Sequence, residues 1–128
     1  LHDLYAQADA TPAQVDFVQT YDDYPVIVMM QFEDLGFCAK GEGPQFVREH
    51  RMTHDGSFPN NTSGGQLSVG QAGAAGGFIG MVEALRQLCD QAGERSVPGA
   101  QLGLVSGFGM VTYDRCLCTG AVLLGRPA

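Results

Sequence analysis

The sequence predicts one α/β layered domain with the element order β-α-β-α-β-β. A run rich in β-branched and aromatic residues, 15–21, favours a strand near the start. Apolar residues recur at helical spacing from about Gln71 to Gln91, and two apolar runs, 102–106 and 120–124, are typical of buried strands. The 128 residues suit a single domain and suffice for a hydrophobic core.

Short helical segments are predicted ahead of the first strand. Residues 1–8 are typical of the end of a helix. Thr11 and Pro12 open a turn or a short helical segment, because proline is favoured at the first helical position. The strand over 15–21 then leads into a second helix.

That second helix carries start and stop signals. Asp22 or Asp23 can cap it, and Pro25 lies in its first turn. It runs to about Leu35 and stops at Gly36, because glycine readily adopts the left-handed backbone that ends helices. Its apolar face is expected to be well buried and comprises Val26, Met29, Met30 and Phe32.

A polar stretch over 40–59 separates this helix from the next one and holds one apolar pair, at 46–47. Loops of that length tend to be functional or partly helical. The long helix over 71–91 follows, and Gly93 is expected to end it. Its apolar stripe comprises Phe78, Val82, Leu85, Leu88 and Cys89.

Charge excludes two classes of partner. The net charge is −7, and the seven basic residues are scattered, whereas nucleic acids and anionic membranes require clustered Lys and Arg. The best apolar run, 26–30, is far too short to span a membrane. The start lacks both a signal peptide and an initiator Met, so we expect a processed chain or a piece of a longer one, located in the cytoplasm.

Cysteines and histidines predict no metal site. The four cysteines form no CxxC pair: Cys38, Cys89, Cys116 and Cys118. Cys116 and Cys118 share one face of a strand and could supply two ligands of a metal site, but the sequence offers no further ligands to complete it. We expect all four to be small buried hydrophobes in a reducing cytosol. His50 and His54 have the spacing of a helical zinc pair but lack the intervening Glu, which favours a solvated turn.

Glycine makes up 18 of the 128 residues, about twice the average share, and six glycines fall within residues 64–77. This segment has neither the Lys and hydroxyl of a phosphate-binding Walker loop nor the spacing of a dinucleotide-binding loop. Two interpretations stay open. The glycines let a helix pack closely against a neighbouring backbone, or they form a helix start that also faces a ligand.

Three segments together resemble the thiolase superfamily. Residues 61–77 are similar to Asn-x-x-Gly-Gly-x-x-x-x-Gly-His-Pro-x-Gly-Ala-x-Gly, most of all in the lipid-transfer-protein (sterol-carrier) type. Residues 21–24 stand where that family has Asn-Glu-Ala-Phe at the end of a strand. The glycine-rich turn near the family's last catalytic cysteine corresponds to Gly107, Phe108 and Gly109. The motifs keep the family's order across 15–124.

The resemblance implies that residues 1–128 are the C-terminal half of a thiolase fold. Each half of that fold is a β-α-β-α-β-β layer, expected here with a mixed five-stranded sheet, and two halves pack into five layers. The resemblance places the nucleophilic cysteine in the N-terminal half. It also implies a coenzyme A thioester as substrate, no bound cofactor and a homodimer.

The catalytic positions depart from the family. Gln71 stands in place of the histidine that deprotonates the nucleophile, and glutamine cannot take a proton near neutral pH. Tyr21 stands in place of the Asn that helps to bind a water in the oxyanion hole. The second family cysteine aligns near Val105 or Ser106, neither of which offers a thiolate.

Residues 21–24, with the pattern Tyr-Asp-x-Tyr/Phe, and residues 33–38 downstream resemble an aldolase-like branch of these thiolases. That branch cleaves the side chain of steroid-type acyl-CoA thioesters by retro-aldol chemistry. Tyrosines replace Asn and His in that branch. The chain is also similar to a two-component thiolase type acting on aromatic acyl-CoAs. Both branches work with a small zinc-ribbon and OB-fold subunit, so the resemblance implies such a partner.

The candidate catalytic residues are therefore Tyr21 and Gln71. The candidate substrate-binding residues are Asp22, Gly107, Phe108 and Gly109. Structural roles compete at each position: Tyr21 as a half-buried aromatic residue, Asp22 as a helix cap and Gln71 as a partner of helix N–H groups. Tyr113 is a further candidate for reaching the site, although a loop role is favoured. Asp114 is expected to be solvated.

Three functions compete. In the first, the chain is half of an acyl-CoA enzyme that makes or breaks a carbon–carbon bond, with Tyr21 donating to a developing oxyanion and Gln71 orienting substrate or water. In the second, it is a non-catalytic subunit that binds acyl-CoA or lipid and scaffolds a partner. In the third, it is a free-standing regulatory domain.

Overall fold

The computed structural model describes residues 2–71, 73–112 and 115–127. A mixed sheet of three strands forms the centre of these residues, in the order β1 (Phe17–Gln19), β2 (Leu102–Thr112) and β3 (Arg115–Gly125). Strand β1 is parallel to β2, and β2 is antiparallel to β3. The parallel pair requires a long crossover, and the helices between residues 25 and 88 supply it.

Five α-helices and three 3-10 segments surround the sheet in the described residues. The helices are α1 (His2–Gln7), α2 (Pro25–Asp34), α3 (Gly43–Glu49), α4 (Gly65–Val69) and α5 (Ile79–Leu88). The 3-10 segments are Pro12–Gln14, Gly73–Phe78 and Gly93–Arg95. None of the helices in these ranges is long and apolar enough to cross a membrane.

The sheet has a hydrophobic cluster on each face, because successive strand residues point to opposite sides. Phe17 packs with Leu88 of α5 and with Val105 on one face. Val18 packs with Tyr5 of α1 and Leu104 on the other face. The layered α/β architecture is therefore confirmed.

The expected five-stranded sheet is not confirmed, since the described residues form three strands. The predicted element order requires a strand between the second helix and the long helix, but there the described residues form one parallel bridge, from Val18 to Asn60. The backbone turns at once after this bridge, because Asn61 and Gly64 both have positive φ angles, of 48° and 95°. The polar stretch before it contains helix α3, which agrees with a partly helical loop.

Helix α2 differs from expectation at its start and on its face. Its N-cap is Tyr24 rather than Asp22 or Asp23, and no side chain caps it. It does end before Gly36, whose φ is +80° as predicted. Its expected buried face is only partly buried: Phe32 is in the core, whereas Val26 and Met30 are exposed.

The predicted long helix is shorter than residues 71–91. Glycines 73, 76 and 77 lie in a 3-10 segment, and α5 begins only at Ile79. It stops at Leu88, and the positive φ of Asp90 (58°) turns the chain before Gly93. Leu88 is buried, but most of the predicted stripe is exposed: Phe78, Val82, Leu85 and Cys89.

The expectation that the cysteines are buried is wrong for two of them. Cys89 and Cys118 are exposed, and Cys38 is half-buried. The side chain of Cys116 lies outside the described ones. His50 ends α3 and stacks on Phe46 with ring centroids 4.1 Å apart.

Candidate functional site

An open cleft of about 400 Å³ lies where β1, the glycine-rich segment and the β2–β3 hairpin meet. It gathers five of the six candidate residues: Tyr21, Gln71, Gly107, Phe108 and Gly109. The remaining wall comprises Gln66, Cys118 and three further glycines, Gly73, Gly77 and Gly120. These segments are separated from one another by at least 30 residues along the chain, and the parallel pairing of β1 with β2 brings the first and last together.

Tyr21 lies just beyond the end of β1 and is the central aromatic residue of the cleft. Gln19 of β1 is opposite Val105 of β2, so Tyr21, two residues beyond Gln19, comes level with Gly107 inside β2. The Tyr21 ring stacks on Phe108 with centroids 6.0 Å apart and planes at 27°. The side-chain amide of Gln71 donates a hydrogen bond to the Tyr21 hydroxyl oxygen over 3.5 Å.

The environment of Tyr21 keeps its phenol protonated. Desolvation and the nearby Asp23 carboxylate raise its pKa above the ordinary value of 10, while the hydrogen bond from Gln71 opposes that shift. Gln71 donates to the Tyr21 oxygen, whereas the Asp23 carboxylate accepts a hydrogen bond from the phenol and competes with any acceptor in the cleft. The phenol is thus a hydrogen-bond donor at neutral pH.

Gln31 of α2 holds the Tyr21 backbone from both sides. Its oxygen accepts from the Tyr21 N–H over 3.1 Å, and its nitrogen donates to the Tyr21 carbonyl over 2.7 Å. The same oxygen accepts from the Ser106 hydroxyl over 2.7 Å, which links Tyr21 to β2. The role of Gln31 was not predicted from the sequence, although a glutamine between Met30 and Phe32 in an apolar helix was the available signal.

Asp22 is buried and caps a helix, but not the helix that follows it. Its carboxylate accepts hydrogen bonds from the backbone N–H groups of Gln66 (2.8 Å) and Leu67 (3.4 Å) at the start of α4. It lines a smaller pocket beside the cleft rather than the cleft itself. Its capping role is visible, and its contact with substrate stays a prediction.

Gln66 is a second residue that sequence reasoning missed. It lines both the cleft and the smaller pocket, and its side chain is buried. Its position directly after the Gly64–Gly65 pair was the only available signal. Cys118, opposite Gly109 across the hairpin, also lines the cleft without having been predicted there.

A buried network of hydrogen bonds around Thr62 supports the glycine-rich segment. The Thr62 hydroxyl donates to Glu83 over 2.8 Å and accepts from Gln19 and Gln87. Glu83 is 1% exposed and also pairs with Arg95 over 3.2 Å. The network ties the segment after Asn61 to α5 and β1.

Five of the six clustered glycines serve turns or close packing, and Gly77 is the exception. Gly64, Gly70 and Gly73 have φ angles of 95°, 103° and 54°, which favour glycine. Gly65 combines a positive φ of 66° with close packing, because an added Cβ would approach a neighbouring side chain to 2.0 Å, and at Gly76 an added Cβ would approach one to 3.0 Å. Ala72, Tyr113 and Asp114 lie outside the described residues, so the expectations for them stay predictions.

Comparison with known proteins gives a family match over most of the chain. The family model described as "Thiolase C-terminal domain-like" matches residues 2–119. The chain is 34% identical over 105 residues to an acetyl-CoA acetyltransferase of Methanothermobacter thermautotrophicus, covering 82% of this chain and 27% of the relative. It is 41% identical over 85 residues to 17-hydroxy-3-oxo-4-pregnene-20-carboxyl-CoA lyase of Mycobacterium tuberculosis, covering 66% and 21%.

A solved structure is similar over almost the whole chain. The structure named "Ltp2-ChsH2(DUF35) aldolase" is 32% identical, with a TM-score of 0.76, over 98% of this chain and 30% of that chain. The chain thus spans between a fifth and a third of the length of these relatives.

Proposed function

This chain belongs to the thiolase C-terminal domain-like family, and we propose that it is the C-terminal part of an enzyme that makes or breaks a carbon–carbon bond in an acyl-coenzyme A thioester. One observation carries the proposal: a protonated Tyr21 phenol, held in a cleft by Gln31 and contacted by Gln71. Relatives named as an acetyl-CoA acetyltransferase and as an acyl-CoA lyase support this class of substrate.

Tyr21 would stabilise negative charge in the transition state. Making or breaking a bond next to a thioester carbonyl places charge on its oxygen. A donor fixed in advance at that point is often worth a factor of about 10² to 10³ in rate. The backbone clamp by Gln31 fixes Tyr21 before substrate binds, which is what such a role requires.

Gln71 would orient substrate or water rather than move a proton. Its amide has no basic nitrogen, so it cannot replace a histidine base. In a retro-aldol step a base takes the hydroxyl proton, the carbon–carbon bond breaks, and the electron pair passes to the thioester carbonyl. In acyl transfer a thiolate attacks that carbonyl instead. Both routes develop negative charge on the thioester oxygen, to which Tyr21 would donate a hydrogen bond. A nucleophilic cysteine in the N-terminal half would favour transfer.

The partners proposed with this function are a second copy of the chain, the N-terminal thiolase half and a small zinc-ribbon and OB-fold subunit. The two-component name of the similar aldolase structure supports a second subunit. The proposal includes no bound cofactor and a cytoplasmic location.

A non-catalytic acyl-CoA-binding subunit is the second candidate, because Gln71 stands in place of a catalytic histidine. In that case the cleft would hold the thioester without transforming it. The two candidates differ in turnover, not in binding.

The test uses the intact protein with its partner subunits and analyses products by mass spectrometry. One substrate set is acetyl-CoA with octanoyl-CoA, for transfer, and the other is 3-hydroxyoctanoyl-CoA, for aldol cleavage. We expect turnover of one set and a loss of at least about tenfold in kcat for Tyr21→Phe. Tyr24→Phe is the matched control, because Tyr24 is 61% exposed and lies outside the cleft. Tight binding without turnover would instead establish the non-catalytic function.

A further inference from the structure

The side chain of Gln66 carries an unusual orphan atom. The residue is only 9% exposed, and its Oε1 has no hydrogen-bond partner among the described residues. The other buried glutamines, Gln19, Gln31 and Gln87, each use their side-chain amide in hydrogen bonds. An unsatisfied buried carbonyl costs about 1–3 kcal/mol, so its retention calls for an explanation.

The residue that carries the orphan atom lies on the wall of the proposed site. Gln66 lines the cleft that contains Tyr21 and Gln71, as well as the smaller pocket beside it. Ser63 Oγ and Arg95 Nε also lack partners, but neither residue lines this cleft. Gln66 and the candidate catalytic residues Tyr21 and Gln71 therefore line the same cleft.

Neighbouring residues hold Gln66 in place. Asp22 accepts from its backbone N–H over 2.8 Å. A Cβ at Gly76 would lie 3.1 Å from Gln66 Oε1 and 3.0 Å from Gln71 Cγ, so the glycine leaves room for both amides. The backbone of Gln66 is thus fixed before any ligand arrives, which reduces the entropy lost on binding.

We propose that Gln66 is a specificity-determining residue that accepts a hydrogen bond from a hydroxyl group on the acyl chain of the substrate. This inference rests on the proposed acyl-thioester function. A thioester carbonyl can only accept hydrogen bonds, so it pairs with Tyr21 and cannot satisfy Gln66. A hydroxyl near the reacting carbon supplies the missing donor. A site built around such a bond rejects the analogue that lacks the hydroxyl, because the protein acceptor is then left unpaired.

The test compares two thioesters that differ only in this hydroxyl. The probes are 3-hydroxyoctanoyl-CoA and octanoyl-CoA, and binding to the intact protein is measured by calorimetry in a Tyr21→Phe background that suppresses turnover. We expect the hydroxylated thioester to bind about tenfold more tightly, the ratio that corresponds to one hydrogen bond. Gln66→Met, of similar length but without the amide, should reduce this ratio to about one. Gln91→Met, at an exposed position outside the cleft, should leave it unchanged.

Three outcomes overturn the inference. Equal affinities in the Tyr21→Phe background would show that Gln66 does not meet a hydroxyl, as would a ratio that survives Gln66→Met. Failure of both thioesters to bind would overturn the proposed function itself, and the inference with it. If Gln66→Met does not fold, Gln66→Asn withdraws the acceptor by one methylene group and should also abolish the preference.

Discussion

The carboxylate of Asp22 fills the space that a side chain at Gly65 would occupy. A Cβ at residue 65 would lie 2.0 Å from Asp22 Oδ2, and the Gly65 backbone has a φ of +66°. The contact brings the end of β1 against the start of α4, more than 40 residues later, and places Gln66 beside Tyr21. Both the space and the backbone conformation therefore require glycine.

Gly65→Ala should destabilise the fold through this contact. The left-handed backbone costs a non-glycine residue about 1–2 kcal/mol, and displacement of Asp22 adds to that. We expect a loss of at least about 2 kcal/mol in the free energy of unfolding, measured by urea denaturation of the intact protein. Gly77→Ala is the control, because no atom lies within 4 Å of its added Cβ, and it should change stability by less than about 0.5 kcal/mol. Equal effects of the two substitutions would contradict the packing role of Gly65.

Gln31→Leu should damage both stability and catalysis. It leaves the Tyr21 N–H, the Tyr21 carbonyl and the Ser106 hydroxyl without their partner. We expect a cost of about 2–4 kcal/mol in unfolding free energy, and a lower kcat with little change in KM because Tyr21 loses its orientation. Gln45→Leu on the exposed face of α3 is the matched control. A kcat that stays at the wild-type value in folded Gln31→Leu would show that the clamp is not needed for catalysis.

The sequence predicts the frame of the site better than its details. The resemblance to thiolases groups Tyr21, Gln71 and Gly107 as candidate site residues, and all three line the cleft. The supporting amides, Gln31 and Gln66, escape prediction since their roles depend on partners distant along the chain. A glutamine at an apolar helix position shows a need for hydrogen bonds, but not which backbone groups satisfy it.

Periodicity has a similar limit in the helices. The predicted apolar stripe extends beyond both ends of α5, and Phe78, in the 3-10 segment before that helix, is 68% exposed. A pattern shows which residues share a face and does not show what covers that face. The cap of α4 illustrates the same point for polar residues, because Asp22 was predicted to cap the adjacent helix and instead caps one far along the chain.

Arg95→Met should weaken the network beneath the glycine-rich segment. Glu83 is almost fully buried, and Arg95, which is partly exposed, is its ion-pair partner over 3.2 Å. Removing the arginine leaves a buried carboxylate with only neutral donors from Thr62 and Gln87. We expect a loss of about 1–3 kcal/mol, below the value for a fully buried pair because solvent screens Arg95. Arg51→Met, which breaks an exposed pair with Asp55, should cost less than about 1 kcal/mol. The prediction fails if unfolding free energies of the two variants are the same.

Tyr5→Phe should reveal a pH-dependent contribution to stability. The buried Tyr5 hydroxyl donates to the Leu35 carbonyl over 2.9 Å, and burial raises its pKa from 10.0 to about 12. The folded state therefore holds this proton more tightly than the unfolded state. Its contribution is complete below pH 10 and declines as the pH rises from 10 towards 12. At pH 8 the variant should be less stable by about 1 kcal/mol, the typical value of one hydrogen bond.

The gap in unfolding free energy between wild type and variant should narrow steadily above pH 10 in urea titrations, since all other titrating groups are common to both proteins and cancel. A gap that stays constant up to pH 11.5 would mean that Tyr5 is not protonated more tightly in the fold.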